Sequence, residues 1–261
     1  MVKFAGRVAL VTGGGRGIGQ GISLALAELG VVVAVNYAKD VEAAEGTVAQ
    51  IVAAGGVAKA YGADVVDADA DAAMLAAITN DFGSIDILIN NAGVASRGRS
   101  VADTAADETD RVLRTHAVAP HHLCRLAIPQ MRERAKVLGR ADIIMISSVA
   151  TDAHSANGAP YNMGKAAMES LAFTLAKEEV ANNIHVNVVA PGLVVSDMGR
   201  RLAKAVAGVD DIHELDKRFP FGRVCQPQDI ARVVTFLCSD DSGYVTGERI
   251  RVHGGGQNMR G

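Results

Sequence analysis

The chain has 261 residues, 49% hydrophobic and 21% charged, a balance that excludes disordered, collagen-like and disulfide-scaffold classes. Lys plus Arg number 26 against 29 Asp plus Glu, a net charge of −3, which excludes the strongly basic footprint of a nucleic-acid binder. Tryptophan is absent and aromatic residues make up 4%, so stacking platforms for bases or sugars are not expected.

In chain order, short apolar runs alternate with Ala-rich stretches of helical period. The runs 7–12, 31–36, 58–61, 85–90, 143–147, 184–190 and 250–252 predict strands. They are apolar throughout rather than alternating, which predicts burial on both faces. Between them, 17–29, 41–54, 68–82, 104–135, 161–182 and 228–238 predict helices. This alternation reads as an α/β fold, a doubly wound Rossmann-type parallel sheet with helices on both faces. No Pro- or Gly-rich linker divides residues 1–261, so one domain is expected, with 192–222 an irregular insertion serving as a substrate loop or lid.

Cys124, Cys225 and Cys238 are odd in number and widely spaced, which reads as buried thiols in a reducing compartment. The adjacent His121 and His122 lack a third ligand at useful spacing, so no metal is expected. No apolar run reaches the ~18 residues needed to span a bilayer. The start of the chain lacks the pattern of a signal peptide. A cytoplasmic protein without a membrane partner is expected.

The first strand runs into Gly13-Gly14-Gly15-Arg16-Gly17-Ile18-Gly19, followed at once by a helix. Glycines there allow backbone N–H groups to approach a pyrophosphate at a helix N-terminus. The spacing is G-x-x-x-G-x-G at Gly13, Gly17 and Gly19, neither G-x-G-x-x-G nor a P-loop.

A second constellation is Ser148 at a strand end, then Tyr161, then Lys165. Pro160 favours a helix start, which puts Tyr161 and Lys165 one turn apart on a shared face. An ammonium ~4 Å from a phenol at an effective dielectric of ~20 is worth ~4 kcal/mol, about three pKa units. Lys165 is thus expected to bring Tyr161 towards neutrality, where general acid–base catalysis works best, while Ser148 hydrogen-bonds the reacting carbonyl oxygen.

Together these residues resemble the short-chain dehydrogenase/reductase family in its main form. The resemblance spans about Ala5 to Gln257. It includes the loop from Thr12 to Gly19, Asp64, Asn90-Asn-Ala-Gly93, Ser148, Tyr161-x-x-x-Lys165 and Pro191-Gly192. It implies a seven-stranded parallel sheet of order 3-2-1-4-5-6-7 and a nicotinamide cofactor. The implied cofactor contacts come from Thr12, Gly13, Gly15, Arg16, Gly17, Ile18 and Gly19, then Asn36 at the second strand's end. Asp64 and Val65 would lie by the adenine, and Asn90, Asn91, Ala92 and Gly93 by the ribose region. Tyr161 and Lys165 would also touch the cofactor, with Pro191, Gly192, Val194 and Ser196 by the nicotinamide carboxamide. One departure stands out: the family's usual upstream Asn, part of a proton relay, is His116 here. Imidazole can donate and accept hydrogen bonds, so His116 either replaces that Asn among the catalytic residues or is a structural helix residue.

The second strand ends Val35-Asn36-Tyr37 without a carboxylate, and Arg16 stands in the glycine loop. This reads as NADP, with Asp40 keeping NAD open. The nearest resemblance is to 3-oxoacyl-acyl-carrier-protein reductases, on Asn36-Tyr37, 191–198, 219–223 and 244–247; sugar, polyol and steroid dehydrogenases share these patterns. A small-molecule carbonyl or alcohol substrate, free or carrier-protein-linked, is implied. Arg125, Arg132, Arg134, Lys136 and Arg140 against Glu133 offer either a landing surface for an acidic carrier or a solvated helix face. A non-catalytic cofactor-binding sensor or scaffold on this fold is the reading from another class. The stretches 104–135 and 161–182 carry more apolar residues than one sheet-facing stripe needs, so a homotetramer is expected, or failing that a dimer, with Val252–Gly256 at a second interface.

Overall fold

The computed structural model of the protein describes residues 4–255, and Gly256 of the expected second interface lies outside them. Seven parallel strands form one sheet in the order β3-β2-β1-β4-β5-β6-β7. They are β1 (Val8–Val11), β2 (Val32–Tyr37), β3 (Ala58–Gly62), β4 (Ile87–Asn90), β5 (Ala141–Ile146), β6 (Ile184–Pro191) and β7 (Arg249–Val252). Every expected run forms a strand. The winding reverses between β1 and β4, and the crevice at the strands' carboxyl ends there is where ligands bind in such sheets.

The apolar runs are explained by what covers each face. Leu10, Leu88, Ile143, Met145 and Val188 pack on one side with residues of α3 (Ala68–Phe82), α5 (Ala119–Leu138) and α7 (Ala159–Glu179). Their neighbours Val11, Ile87, Ile89, Ile144 and Val189 pack on the other with α1 (Gly17–Glu28), α2 (Val41–Ala53) and α9 (Pro227–Leu237). Burial of one such side chain stabilises by about 1.5–3 kcal/mol, so the sheet needs no polar face.

The helix expected over 104–135 differs. It divides into α4 (Ala106–Leu113), a π-turn at Arg114–Val118, and α5, which runs on to Leu138 and stops at left-handed Gly139. Pro120 has no N–H, so the α-type bond to the carbonyl of His116 cannot form, and the chain takes a wider turn with Ala119 N–H bonding Arg114 O. The insertion 192–222 also differs from its irregular expectation. It holds α8 (Asp197–Ala207) and 3-10 turns at Ile212–Arg218 and Pro220–Gly222. Ala203, Ile212, Leu215 and Val224 give it a small core of its own. A short helix, α6 (Ala150–Ala153), follows β5.

Of the five cations of the basic stretch, Arg125 is exposed on α5, whereas the other four are paired within the chain. Arg132 pairs with Glu179 at 2.6 Å, Arg134 with buried Asp86 at 2.9 Å and Lys136 with Glu133 at 2.7 Å. Arg140 bonds Asp142 at 2.8 Å and the carbonyls of Leu237 and Ser239. Arg7 reaches the same Asp142. This buried network ties the amino ends of β1, β4 and β5 to the end of α9, across the sheet from the candidate site. Among the described residues, no helix is long and apolar enough to cross a membrane.

Candidate active site

The glycine loop bridges β1 and α1. Gly13 and Gly17 have φ of +60° and +53°, and a Cβ on Gly19 would sit 2.1 Å from the Gly13 carbonyl oxygen, so only glycine fits that turn. Gly15 packs against the α2 backbone at Ala44, and Ile18 against the core beneath α1. Arg16 occupies the N-cap of α1 without a side-chain cap, and no acidic residue stands in the first turn. The loop is braced from behind. Thr12 Oγ1 accepts from the N–H groups of Asn91 and Ala92 at 2.9 Å each, and Asn91 Nδ2 donates to Thr12 O at 2.8 Å and Gly13 O at 3.2 Å. Uncapped amides, glycines without room for a side chain and the positive end of α1 suit a pyrophosphate, so the residues present fit a nicotinamide dinucleotide.

Two expected contacts are placed otherwise. Asn36 is 1% exposed; its Oδ1 accepts from Gly13 N–H at 3.2 Å, and its Nδ2 donates to Ala63 O at 2.9 Å and Tyr61 O at 3.3 Å. Its side chain is spent joining β1, β2 and β3, so it braces the pocket rather than meeting the ribose. Asn90 points into the α5 layer, with Nδ2 3.7 Å from Cys124 Sγ and its Oδ1 buried without a protein partner. Asn91, on the opposite side of the strand, faces the loop. Asp64 is exposed at the carboxyl end of β3, its carboxylate accepting from Val66 N–H at 3.3 Å, and Val65 is buried beside it. Asp40 caps α2 through Ala43 N–H at 3.1 Å and lies 3.5 Å from Arg16, which also reaches Asp197 at 3.8 Å.

Ser148 follows β5, and α7 begins at Ala159 with Pro160 in its first turn. The fold therefore brings Ser148, Tyr161, Lys165 and His116 together. Lys165 is buried, and its Nζ donates to Ile146 O at 2.6 Å while lying 5.9 Å from the Tyr161 ring centroid. Burial pushes the Lys165 ammonium down to about 7, with Glu169 opposing that fall. Burial likewise raises the Tyr161 phenol, against a hydrogen bond from Ser148 that lowers it. The expected lowering of Tyr161 by Lys165 is outweighed by burial, and Ser148 rather than Lys165 is what draws the phenol down. Loss of water penalises both charged forms, and one of the three Lys165 N–H donors is taken by the Ile146 carbonyl.

His116 sits in the π-turn with 0% exposure, its ring edge-on to Tyr161 at 5.3 Å between centroids. Its Nε2 lies 2.8 Å from Val94 O and 3.3 Å from Val94 N; the shorter contact, to an oxygen that can only accept, favours a proton on Nε2, and Nδ1 has no protein partner. Burial and the Lys165 charge drive it down to about 3, so it is neutral at physiological pH. Glycines make room for it. A Cβ on Gly93 would come 2.8 Å from His116 Cε1, and one on Gly164 3.0 Å from His116 Cβ.

At the end of β6, Pro191 pairs with Val252, and a Cβ on Gly192 would lie 2.9 Å from His253. Val194 is buried and bridges to Cys225, and Ser196 caps α8 by accepting from Gly199 N–H at 3.1 Å. A Cβ on Gly17 would lie 3.2 Å from Ser196 Cβ, and both residues line a cavity of ≈ 290 Å³ with Arg16, Gln20, Arg200 and Pro227. Glu169 and Arg249, which contact the Ser148 turn, were not singled out from the sequence. Glu169 lies four residues after Lys165, a spacing that could have flagged it, whereas Arg249 carries no local signal.

A family model described as Enoyl-(Acyl carrier protein) reductase matches residues 13–257. The 3-oxoacyl-(acyl-carrier-protein) reductase FabG of Staphylococcus aureus is 40% identical over 249 residues, 95% of this chain and 96% of the relative. The chain belongs to the short-chain dehydrogenase/reductase family. Versicolorin reductase 1 of Aspergillus parasiticus is 38% identical over 97% of both chains. A 7α-hydroxysteroid dehydrogenase complexed with NADH and 7-oxo glycochenodeoxycholic acid superposes with a TM-score of 0.88 at 30% identity, over 97% of this chain and 95% of its own. The angucycline C-6 ketoreductase LanV with bound NADP gives a TM-score of 0.86 at 32% identity, over 97% and 96%. This protein is an oxidoreductase of the family, with a nicotinamide cofactor.

Proposed function

We propose that the protein is an NADP-dependent carbonyl reductase of small-molecule ketones, with 3-oxoacyl thioesters as the favoured substrate class. The observation that carries the reading is the convergence of Ser148, Tyr161 and Lys165 at the carboxyl ends of β5 and β6, beside the glycine loop. The raised Tyr161 phenol stays protonated at neutral pH, which is the form that donates a proton to a ketone being reduced. The same constellation argues against a non-catalytic sensor.

The glycine loop, Thr12, Asn91, Ala92 and Gly93 would hold the cofactor's phosphates and ribose, and Pro191, Gly192, Val194 and Ser196 its far end. When bound, the nicotinamide supplies the hydride. Ser148 orients the carbonyl oxygen, Tyr161 donates the proton to it, and Lys165 holds a replacement proton near its own midpoint at neutral pH. His116 acts by packing Tyr161 and, through its free Nδ1 lone pair, by accepting a hydrogen bond within the site.

Two features favour NADP. Arg16 stands exposed at the loop, and Asp40, the carboxylate nearest the end of β2, is spent on capping α2 and pairing with Arg16. The S. aureus relative's name supports a 3-oxoacyl substrate. The helical insertion 192–222 with its own small core serves as the substrate lid of a single catalytic domain. Met163, Ala166, Ala167, Ser170 and Phe173 leave an exposed stripe of small and apolar residues along α7, which supports self-association, and a cytoplasmic homotetramer is the assembly we propose. A panel of ketones and alcohols run with NADPH and NADH tests the reading. NADPH-dependent reduction of 3-oxoacyl thioesters is expected; turnover only of alcohols with NAD would refute it.

A further inference from the structure

Beneath Ser148 lies a second polar cluster that the proposed chemistry does not use. Glu169 follows Lys165 by one turn of α7, and Arg249 opens β7. Arg249 Nε lies 2.9 Å from Glu169 Oε1, and Nη1 lies 3.0 Å from Asp152 Oδ2 on α6. Arg249 Nη2 donates to the Ser148 carbonyl at 3.2 Å and to Thr151 Oγ1 at 2.7 Å. Glu169 Oε1 accepts from Ser147 Oγ at 2.5 Å and from Thr151 Oγ1 at 3.0 Å. One ion pair therefore grips the chain before, at and after Ser148. The side chains are 16% and 12% exposed, and an ion pair so buried is poor evidence for stability alone.

We propose that Glu169 and Arg249 are positioning residues, which fix the Ser148 turn against Tyr161 and balance the charge felt by the Lys165 ammonium. The Glu169 carboxylate favours a charged Lys165, and the Arg249 guanidinium is paired with that same carboxylate and offsets its negative charge. The other charged and titratable groups around Lys165 can be named element by element. Tyr161 shares α7, and His116 faces it from the π-turn. Arg111 on α4 has its charge shared with Glu108 at 2.9 Å, and Arg251 on β7 lies 3.6 Å from Asp152 on α6. On β5 and β6, Asp142 and His185 lie near the amino ends, whereas Lys165 bonds the Ile146 carbonyl at the carboxyl end. Among the described residues, Glu169 is the carboxylate whose charge acts on Lys165, and Arg249 is bonded both to that carboxylate and to the Ser148 carbonyl, so removing either charge should act on Lys165 in opposite directions.

The test compares the parent chain with Glu169→Gln, Arg249→Gln and the double variant. Lys165 is titrated by NMR of 13C-labelled lysine, assigned with Lys165→Met, and the pH profile of NADPH-dependent ketone reduction is recorded alongside. Glu169→Gln should move the Lys165 midpoint to lower pH and Arg249→Gln to higher pH, each on the order of one unit, and the double variant should return near the parent. In each single variant kcat should fall several-fold with KM little changed, because the Ser148 turn loses its grip. If Arg249→Gln does not fold, Arg249→Lys replaces it; it should keep the parental midpoint and still lower kcat. Midpoints that move in the same direction, or kcat losses with no movement of the midpoint, overturn the proposal. The kinetic arm rests on the reductase reading. If the parent reduces no ketone, that reading fails, while the NMR titration still decides the role of Glu169 and Arg249.

Discussion

Acidification tests the burial of His116. The folded ring is held down to about 3 against an ordinary 6.5, so between these values the unfolded chain takes up a proton that the folded one refuses. A base whose folded value is depressed loses stability as pH falls through the unfolded value. From pH 7 to pH 5 the loss worked from these two values is about 2 kcal/mol. At pH 5 the folded ring is still neutral, so the figure hardly depends on how far below that it titrates. His116→Asn removes the titration and keeps an amide able to bond the Val94 carbonyl. Asp71 contributes with the opposite sign, since burial and the neighbouring Asp64 and Asp67 raise it to about 7, but its contribution cancels when parent and variant are compared. The assay is urea unfolding of both proteins at pH 7, 6 and 5 and fixed protein concentration. The parent should lose about 2 kcal/mol more than the variant across that range. Parallel pH dependence in the two proteins would mean that His116 is hydrated or charged in the folded state, and the reasoning fails.

Four further outcomes follow from the same structure. Arg16→Ala should weaken NADPH binding, followed by fluorescence titration, more than NADH binding; equal losses would remove the argument for NADP. Asn36→Asp should lower stability rather than switch the cofactor, because its carboxylate would face the carbonyls of Tyr61 and Ala63 inside the sheet; a chemical-denaturation midpoint equal to the parent's contradicts this. Asp142→Asn strands the guanidinium groups of Arg7 and Arg140 at the amino end of the sheet and should cost on the order of 3–5 kcal/mol in unfolding experiments, with NADPH affinity unchanged under native conditions. Light scattering should give a tetramer, and a single species of monomer mass rules that assembly out.

Much of this architecture is legible in the sequence because strands buried on both faces must be apolar throughout, and Leu10 and Val11 show why: neighbours in the chain, they serve opposite helical layers. The glycine loop and the Ser148, Tyr161 and Lys165 spacing are legible because they are local. The π-turn was signalled only by Pro120, whose missing donor acts four residues upstream. The helical nature of the 192–222 insertion was signalled by Ser196 ahead of α8 and by the Asp211 and Glu214 capping box. What sequence cannot supply is burial. Tyr161 and Lys165 stand at the expected spacing, yet loss of water outweighs the lowering expected of the Tyr161 phenol. Likewise the basic stretch of α5 looks free in sequence, because Asp86 and Glu179, which bind Arg134 and Arg132, lie about fifty residues away.

The most direct measurement is single-turnover reduction of a 3-oxoacyl thioester by NADPH, in the parent and in Tyr161→Phe, with cofactor affinity measured in parallel. The account predicts that the phenylalanine variant binds NADPH as tightly as the parent and transfers hydride slower by at least two orders of magnitude, the usual worth of a positioned general acid being ~10²–10⁴-fold. Hydride transfer at the parental rate in Tyr161→Phe would contradict it.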